Sequence, residues 1–405
     1  MKDEKKAPKL RFKGFTDDWE QCKLGDVANR VTTKNKGIVS KLPLTISAQD
    51  GLVSQEEFFN KKVASTDLSS YLLLHLGDFA YNKSYSSGYP FGTIKRLEKY
   101  PQGVVSSLYI AFKPKSRISS NFMAQYYESS NWHKEIYKCA AEGARNHGLL
   151  NVSPTDFFAT NLKIPIAKSE QLKIGKLLKE VDQTITLHEE KKRQLERLKS
   201  ALLQKMFADK SGYPAVRFVG FENAWEQCKL RDVFVERNQK TVADENYPLC
   251  SFIAHKGVVP KTKYDRSFLV KSDDKKYKRT ELNDFIYSSN NLETGSIGLN
   301  KFGNATISPV YSVFMVNGNS DFIAGLATTH RFIYEMIRFR QGVVYGQWRI
   351  HESDFLKIKY YIPQVLEQEK IGNLLSELDR IITLHDRKLE LLKRMKQSLL
   401  QKMFI

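Results

Sequence analysis

The chain has 405 residues, which is enough for two or three domains that each bury a core. Its hydrophobic content of 41% and aromatic content of 12% exclude a disordered basic tail as its main component. The formal net charge of +19 favours a polyanionic partner, most often nucleic acid, although a basic protein without such a partner can carry the same charge.

Signals for targeting and for metal binding are missing from the sequence. The first residues are charged and lack the apolar core of a signal peptide, and no run approaches the ~18 apolar residues of a membrane span. We therefore expect a cytoplasmic protein with no membrane partner. Its cysteines, at Cys22, Cys139, Cys228 and Cys250, form no CxxC pair and have no histidine cluster nearby, so we expect neither a zinc site nor a disulfide framework.

A short aromatic tract near the start of the chain is repeated in its second half. Residues 11–27 read RFKGFTDDWEQCKLGDV, and residues 217–233 read RFVGFENAWEQCKLRDV. We call these the docking tracts, because their Phe and Trp side chains are too apolar to stand free and should pack on a domain or a long helix. The tract is expected to dock and then open a short helix. Near-identity of the copies argues against base reading, since readers of different sequences should differ.

Two variable segments, residues 28–165 and 234–363, share only a faint pattern. Alternating β-rich runs predict strands, and longer mixed runs predict helices. The predicted strands lie at 104–112 and 305–316, and the predicted helices at 121–137 and 322–340. Each variable segment is therefore predicted to be a mixed α/β domain.

The longest repeat follows each variable segment. Residues 170–207 and 367–404 match without a gap at an offset of 197 positions and predict two long amphipathic helices. Their seven-residue seam consists of Ile174, Val181, His188, Leu195, Leu202, Ile371, Leu378, His385, Leu392 and Leu399. Other apolar residues, Leu198 and Met395 among them, widen this stripe.

A sustained seven-residue apolar repeat buries its seam against another helix. We therefore expect the two helices to pack on each other, antiparallel, as a spacer between the domains. The alternative is that each helix only closes the core of its own domain. The equivalent histidines of the seam are interpreted as a polar layer that sets the helix register.

Taken together, the WEQCKL tracts, the Ile-Pro pair before each long helix and the helices ending in LLQKMF resemble the specificity subunit of type I restriction-modification systems. The resemblance extends over essentially the whole chain. It implies a mixed α/β fold in which two target-recognition domains are joined by two long antiparallel helices, forming a coiled-coil spacer with an internal pseudo-twofold repeat. The expected segments are 1–27 (N-terminal docking), 28–165 (target-recognition domain 1), 166–208 (spacer helix 1), 209–233 (linker and repeated docking), 234–363 (target-recognition domain 2) and 364–405 (spacer helix 2).

The resemblance also implies a division of labour. Each domain would read one half of a bipartite, asymmetric DNA target, while the spacer fixes their separation and docks two modification (methyltransferase) subunits. The partners would be double-stranded DNA, those two subunits and restriction (translocase-endonuclease) subunits. Adenine-N6 methylation with S-adenosylmethionine, and cleavage with ATP and Mg, would belong to the partners, so this chain would be non-catalytic and without a cofactor. The sequence agrees, since it lacks GxxxxGK[ST], GxGxxG, HExxH and NPPY-like motifs.

Two loops in each variable segment carry candidates for DNA contacts. Cations suit phosphates, and forked donors or amides suit base edges. Loop A comprises residues 83–96 in the first segment and 288–301 in the second; loop B comprises 145–147 and 347–349. The candidates are Lys83, Tyr85, Tyr89, Lys95, Arg96, Arg145, Asn146 and His147 in the first segment, and Asn290, Asn291, Lys301, Gln347, Trp348 and Arg349 in the second. Any single one of them could equally be a solvated loop side chain.

Two other functions stay open on the sequence alone. A self-contained DNA-modifying enzyme or nuclease would bind S-adenosylmethionine or ATP, or cut DNA with magnesium, when purified by itself. A two-headed protein-binding adaptor would carry its basic charge incidentally, and salt-dependent DNA binding would argue against it.

Overall fold

A computed structural model describes residues 7–61, 63–84, 88–140, 150–254, 256–261, 276–343 and 347–405. The chain divides into two compact units, of which unit 1 is Met1–Glu189 with Lys388–Ile405 and unit 2 is Glu190–Arg387. Each unit combines antiparallel strands, short helices and parts of both long helices. Among the helices of the described ranges, none has the length and apolar character needed to cross a membrane.

Unit 1 is built on a four-stranded antiparallel sheet, which uses four of the strands of the unit. The strands of unit 1 are β1 (Glu20–Lys23), β2 (Ala28–Arg30), β3 (Leu44–Ser47), β4 (Gly51–Ser54), β5 (Leu72–His75), β6 (Phe79–Asn82), β7 (Thr93–Arg96), β8 (Gln102–Val105), β9 (Ile110–Pro114) and β10 (Asn161–Ile164). Its helices are α1 (Leu24–Val27), α2 (Gln55–Phe59), α3 (Ser120–Glu128), α4 (His133–Ala140), α5 (Pro154–Ala159) and the first part of α6 (Lys168–Lys205). The strand order in the main sheet is β2-β9-β6-β7. The pairs β1-β10, β3-β4 and β5-β8 form separate two-stranded sheets.

Unit 2 repeats this plan with additions. Its strands are β11 (Glu226–Lys229), β12 (Phe234–Glu236), β13 (Lys240–Thr241), β14 (Cys250–Ile253), β15 (Gly257–Pro260), β16 (Tyr277–Thr280), β17 (Phe285–Tyr287), β18 (Ile297–Leu299), β19 (Ala305–Ile307), β20 (Ser312–Val316), β21 (Gln341–Val343), β22 (Gln347–Arg349) and β23 (Lys359–Ile362). Its helices are α7 (Ser320–Ala327), α8 (His330–Ile337), α9 (Glu352–Phe355) and most of α10 (Val365–Met403). The main sheet has the order β12-β20-β17-β18, which is that of unit 1.

Aromatic rings form the core on one face of each main sheet. In unit 1, Phe79 stacks on Phe112 with ring centroids 5.1 Å apart, because paired residues on neighbouring strands share a face. In unit 2 the equivalent Phe285 and Phe314 surround Phe355 of α9, at 5.7 and 4.7 Å. Each such ring contributes about 1.5–3 kcal/mol by leaving water. The predicted mixed α/β class is confirmed.

The prediction of one long strand in each of two ranges was wrong, because each range holds residues of two strands. Residues 104–112 contain the end of β8 and the start of β9, and 305–316 contain all of β19 and β20, with a turn in each range. The Tyr109 amide donates to the Ser106 carbonyl at 3.0 Å and closes the first of these turns. The turn places β8 and β9 in different sheets, which the alternation of residue types does not reveal.

The two long predicted helices are interrupted in the same way. Residues 121–137 contain most of α3 and part of α4, and 322–340 contain part of α7 and all of α8. At each break a hydroxyl bonds to the carbonyl three residues earlier, from Ser129 at 2.6 Å and from Thr329 at 2.8 Å. Such hydroxyls compete with the helical hydrogen bonds and end the first helix.

The docking tracts dock as predicted, and each also forms a strand. The first tract supplies β1, which pairs antiparallel with β10, and the second supplies β11, which pairs with β23. In unit 1, Trp19 meets Phe122 of α3 edge-on at 5.8 Å and Phe404 at 6.4 Å. In unit 2, Trp225 meets Phe207 at 6.3 Å. The residues after α10 therefore help to close the core of unit 1, and those after α6 that of unit 2.

The long helices pack antiparallel within each unit. In unit 1, Asp182 of α6 pairs with Lys396 of α10 at 2.6 Å, and Glu189 pairs with Lys393 at 2.6 Å. As the residue number rises along α6 it falls along α10, which defines an antiparallel pair. The predicted helix pair is confirmed.

Unit 2 contains the same kind of antiparallel pair. Lys199 pairs with Asp379 at 2.5 Å, and Lys192 pairs with Asp386 at 2.6 Å. Ile174, Val181, Leu195, Ile371, Leu378 and Leu392 of the seam are buried, while His188, Leu202, His385 and Leu399 are partly buried. The helices also close their own domain cores, because Ile174 belongs to the core of unit 1 and Ile371 to that of unit 2.

Gly372 of α10 lies where the backbone of α7 begins. A Cβ at this position would stand 2.8 Å from the Phe322 amide nitrogen and 2.3 Å from Oδ1 of Asn319, the residue that caps α7. We expect Gly372→Ala to lower the free energy of unfolding by about 1–2 kcal/mol, because overpacking and cap displacement exceed the ~1 kcal/mol gain in helix propensity. Denaturant unfolding beside the exposed neighbour Asn373→Ala, which should lose nothing, checks this; equal stabilities would contradict the contact.

Candidate nucleic-acid interface

Loop A of unit 1 leaves β6 and returns along β7. The Tyr81 hydroxyl donates to the Phe91 carbonyl at 2.8 Å, which bonds the loop to strand β6. Gly92 has a φ of +76°, and a Cβ there would lie 2.2 Å from the Asn82 carbonyl oxygen. Only glycine fits this close approach, so the contact between Gly92 and Asn82 fixes the backbone where the loop returns to β7.

Lys83 joins loop A of unit 1 to the segment that follows loop B. The Leu150 amide donates to the Lys83 carbonyl at 3.1 Å, and the Lys83 ammonium donates to the Val152 carbonyl at 3.2 Å. Burial lowers the pKa of this ammonium. Lys83 therefore serves inside the chain in this structure, and its predicted DNA contact stays a prediction. Four candidates lie outside the described residues: Tyr85, Arg145, Asn146 and His147.

Lys95 and Arg96, at the end of loop A, turn toward α3. Lys95 pairs with Glu128 at 2.6 Å, and its side chain is only 12% exposed. The Arg96 guanidinium donates to Ser120 and Asn121, both at 2.9 Å, and also pairs with Glu98. Both cations thus have partners within unit 1. Tyr89 is exposed on the loop.

In unit 2, loops A and B meet directly. The Trp348 amide donates to Oδ1 of Asn290 at 2.5 Å, and the Ile350 amide donates to the Ser289 hydroxyl at 3.0 Å. Lys83 and Ser289 occupy matching positions after β6 and β17, and Leu150 and Ile350 are both buried. In both units, therefore, a buried residue that follows loop B donates its amide to loop A, from Leu150 to Lys83 and from Ile350 to Ser289.

The remaining candidates of unit 2 fall into two groups. Asn291, Gln347, Trp348 and Arg349 are exposed, and they share the loop A and loop B region with Asn290. Lys301 instead contacts the start of α7, because it pairs with Asp321 at 2.9 Å and donates to Oδ1 of Asn283 at 3.0 Å. The structure thus gathers all of these candidates except Lys301.

Sequence reasoning missed the ion pair between Arg340 and Glu293. Arg340 donates twice to this carboxylate, at 2.6 and 2.7 Å, and those hydrogen bonds lower the pKa of Glu293. Glu293 lies in loop A, and Arg340 comes just before β21. No local pattern marks such a pair, since the two residues are 47 positions apart.

Glu352 at the start of α9 is a second charged group that sequence reasoning missed. Burial raises its pKa, but hydrogen bonds and the charge of Lys278, 3.2 Å away, act the other way and leave the pKa below its usual value. Arg349 stands 3.7 Å from this carboxylate, which is too far for a hydrogen bond. In the described ranges no group of three or more His, Cys, Asp or Glu side chains could hold a metal ion.

The long helices expose matching apolar residues in both units. Unit 1 exposes Leu187, at 66%, and Met395, at 44%; unit 2 exposes the equivalent Leu384, at 47%, and Leu198, at 48%. The predicted widening of the buried stripe was therefore wrong at Leu198 and Met395, because a straight helix turns away from a strict seven-residue seam. Single exposed apolar residues are common on protein surfaces, and what distinguishes these is that each recurs at the equivalent position of the other long helix.

Two segments of the chain, residues 16–197 and 222–394, match the family model described as "Type I restriction modification DNA specificity domain". The structure is similar to that of the S subunit of a type I restriction-modification system from M. genitalium, with a TM-score of 0.61, 14% identity and coverage of 98% of this chain and 99% of that one. An HsdS subunit from Thermoanaerobacter tengcongensis matches with a TM-score of 0.46 and 14% identity, covering 95% and 96% of the two chains. The first of these likenesses shows a shared fold.

Proposed function

Because the chain belongs to the family of type I restriction-modification DNA specificity domains, we propose that each of its units reads one half of a bipartite, asymmetric DNA target. DNA recognition is the role of this family. The proposal rests on one observation, which is that the family model matches the chain twice. Each match spans one loop A and one loop B. In each unit a residue after loop B bonds to loop A, while the sequences of the loops differ, as two different half-sites require.

We further propose which proteins this subunit assembles with. Two modification subunits would dock on the long helices, and the equivalent exposed residues Leu187 and Leu384 support two equivalent docking sites. Restriction subunits would join this assembly. S-adenosylmethionine, ATP and Mg would be bound by those partners, and this chain would position DNA without catalysing a step itself. The assembly would work in the cytoplasm.

The proposed function is tested by co-expressing the chain with a methyltransferase partner and mapping methylated adenines. We expect a split, asymmetric motif that disappears when the chain is omitted. Exchange of residues 28–165 for another variable segment should change one half of that motif only. Methylation with an unsplit motif, or S-adenosylmethionine binding by the chain alone, would overturn the proposal.

The length of the long helices should set the gap between the half-sites. Insertion of seven residues after Glu190 and after the equivalent Arg387 preserves the seven-residue seam and lengthens each helix by roughly 10 Å. We expect the gap in the methylated motif to grow by about three base pairs, at ~3.4 Å each. The same insertion at the exposed Lys210 should leave the gap unchanged; an unchanged gap in the helix variant would reject the spacer role.

A further inference from the structure

Strands β21 and β22 of unit 2 form a separate two-stranded ribbon. Their register places Gln341 opposite Arg349 and Gly342 opposite Trp348. Side chains alternate along a strand and paired residues share a face, so Gln341, Gln347 and Arg349 lie on one face. Trp348 lies on the other face, where a Cβ on Gly342 would just touch its ring at 4.0 Å. Gln341, Gln347, Trp348 and Arg349 are all exposed.

An isolated two-stranded ribbon is marginally stable in water, so its anchors decide whether it has a fixed shape. Before β21, Arg340 forms its paired hydrogen bonds with Glu293. Within β22, the Trp348 amide bonds to Asn290, and after it the buried Ile350 bonds to Ser289. All of these anchors belong to loop A, whose Leu292 is itself fully buried in the core. The ribbon is therefore held in advance of binding.

The charged groups around the ribbon leave the face that carries Gln347 and Arg349 able to bind a ligand. Asp354 is paired with Lys357 at 2.9 Å and Glu352 with Lys278, so the nearby carboxylates already have cationic partners. Arg349 is 56% exposed, and its one ion pair within the described ranges is the 3.7 Å contact with Glu352. Its guanidinium can leave that contact for a base edge at little cost.

The shape and chemistry of the ribbon match the major groove of DNA. That groove, about 12 Å wide, admits a two-stranded ribbon, and Arg and Gln are the side chains that fork to guanine and adenine. Resting on the proposed function, we propose that the β21–β22 ribbon is the base-reading element of unit 2, with Gln347 and Arg349 at base edges. Asn290 is then a positioning residue that acts through the backbone of Trp348.

This assignment changes the role that the sequence suggested for Asn290. A side chain that reads adenine must offer both its amide oxygen and its amide NH₂. The oxygen of Asn290 instead accepts the Trp348 amide at 2.5 Å, and that backbone donor can bond only to an acceptor. Asp in place of Asn keeps this acceptor and removes the NH₂ donor, so it separates the two roles.

The ribbon is tested in the complex with a methyltransferase partner, on a DNA library with both half-sites randomised. Arg349→Gln and Gln347→Ala should each reduce methylation of the wild-type sequence by roughly tenfold or more and change the preferred base in one half-site only. The control is Arg338→Gln, which removes an exposed cation of the same region, paired with Glu335, and should leave the preferred bases unchanged. Thermal unfolding of each complex shows that unit 2 remains folded.

Asn290 is tested in the same assay with two substitutions. Asn290→Ala should lower methylation and relax the base preference of one half-site, while Asn290→Asp should retain the wild-type preference. If both substitutions remove preference for one base alone, Asn290 reads that base. If ribbon variants keep the wild-type motif while methylation stays bipartite, the ribbon proposal fails and the proposed function stands. If the unmodified complex yields no bipartite motif, the proposed function itself fails.

Discussion

Replacing Arg217 by Met should lower the free energy of unfolding by roughly 3 kcal/mol, because the change leaves a charged Glu367 buried without its partner. The Glu367 side chain is fully buried, and the guanidinium donates to its two oxygens at 2.7 and 2.8 Å. A loss of ~3 kcal/mol is the low end of the range for a broken buried pair, and it suits a pair in which the Arg217 side chain keeps 15% of its exposure. Urea unfolding of the complex-free chain, or of the complex if the chain needs it, measures the loss.

A double substitution separates the pair from its packing. Arg217→Met with Glu367→Leu removes both charges, so it should recover most of the loss. The exposed pair between Glu377 and Arg380 lies on the same helix and serves as the control, because its removal should hardly change stability. If Arg217→Met alone behaves like this exposed control, the Glu367 carboxylate is not buried as described.

The duplication of this pair indicates what it does in the fold. In unit 1, Arg11 donates to Glu170 at 2.6 and 2.8 Å, and that carboxylate is also fully buried. Each pair ties a docking tract to the first turn of a long helix. We therefore expect Arg11→Met to have an effect similar to that of Arg217→Met, in the other unit.

The repeated parts of this fold could be predicted because their signals are local. A seven-residue apolar period specifies a helix and its buried face whatever lies around it, which is why α6 and α10 were predicted with their pairing. The sequence holds only indirect evidence of the buried ion pairs. Both docking tracts begin with Arg, at Arg11 and Arg217, and both helix repeats begin with Glu, but only the fold shows that these residues meet.

The variable parts were harder because long-range hydrogen bonds decide them. The turn between β8 and β9 depends on one backbone bond, and the break after α3 depends on the Ser129 hydroxyl. In the candidate interface, the sequence grouped Asn290 and Trp348 as DNA contacts, which the structure does bring together. It could not tell that Asn290 bonds to the backbone of Trp348 or that Lys95 faces α3, since both facts depend on how distant segments pack.

The second large effect is expected at Gly92, where Ala should lower the free energy of unfolding by about 3 kcal/mol. Two costs add at this position. An L residue at a φ of +76° is strained by ~1–2 kcal/mol, and a Cβ at 2.2 Å from the Asn82 carbonyl oxygen forces the backbone of the loop to move. Thermal and urea unfolding of Gly92→Ala beside the wild-type chain measure their sum.

Gly51 supplies the control that separates the two costs. It has a φ of +83°, and an added Cβ would find nothing within 4 Å among the described residues. Gly51→Ala should therefore show the conformational strain alone, and the difference from Gly92→Ala measures the clash with Asn82. Equal losses would mean that loop A can relax around the new methyl group at no cost.

The effect of Gly92→Ala on DNA recognition follows from the position of Gly92 in loop A of unit 1. Gly92 lies between the exposed Tyr89 and the paired Lys95, so a shift of the backbone at Gly92 moves these two described residues of loop A. We expect the variant complex to lose base preference in one half-site while the half-site read by unit 2 stays intact. Because the β21–β22 ribbon belongs to unit 2, variants of Gly92 and of Arg349 should affect opposite halves of one motif, and the two effects should add in a double variant.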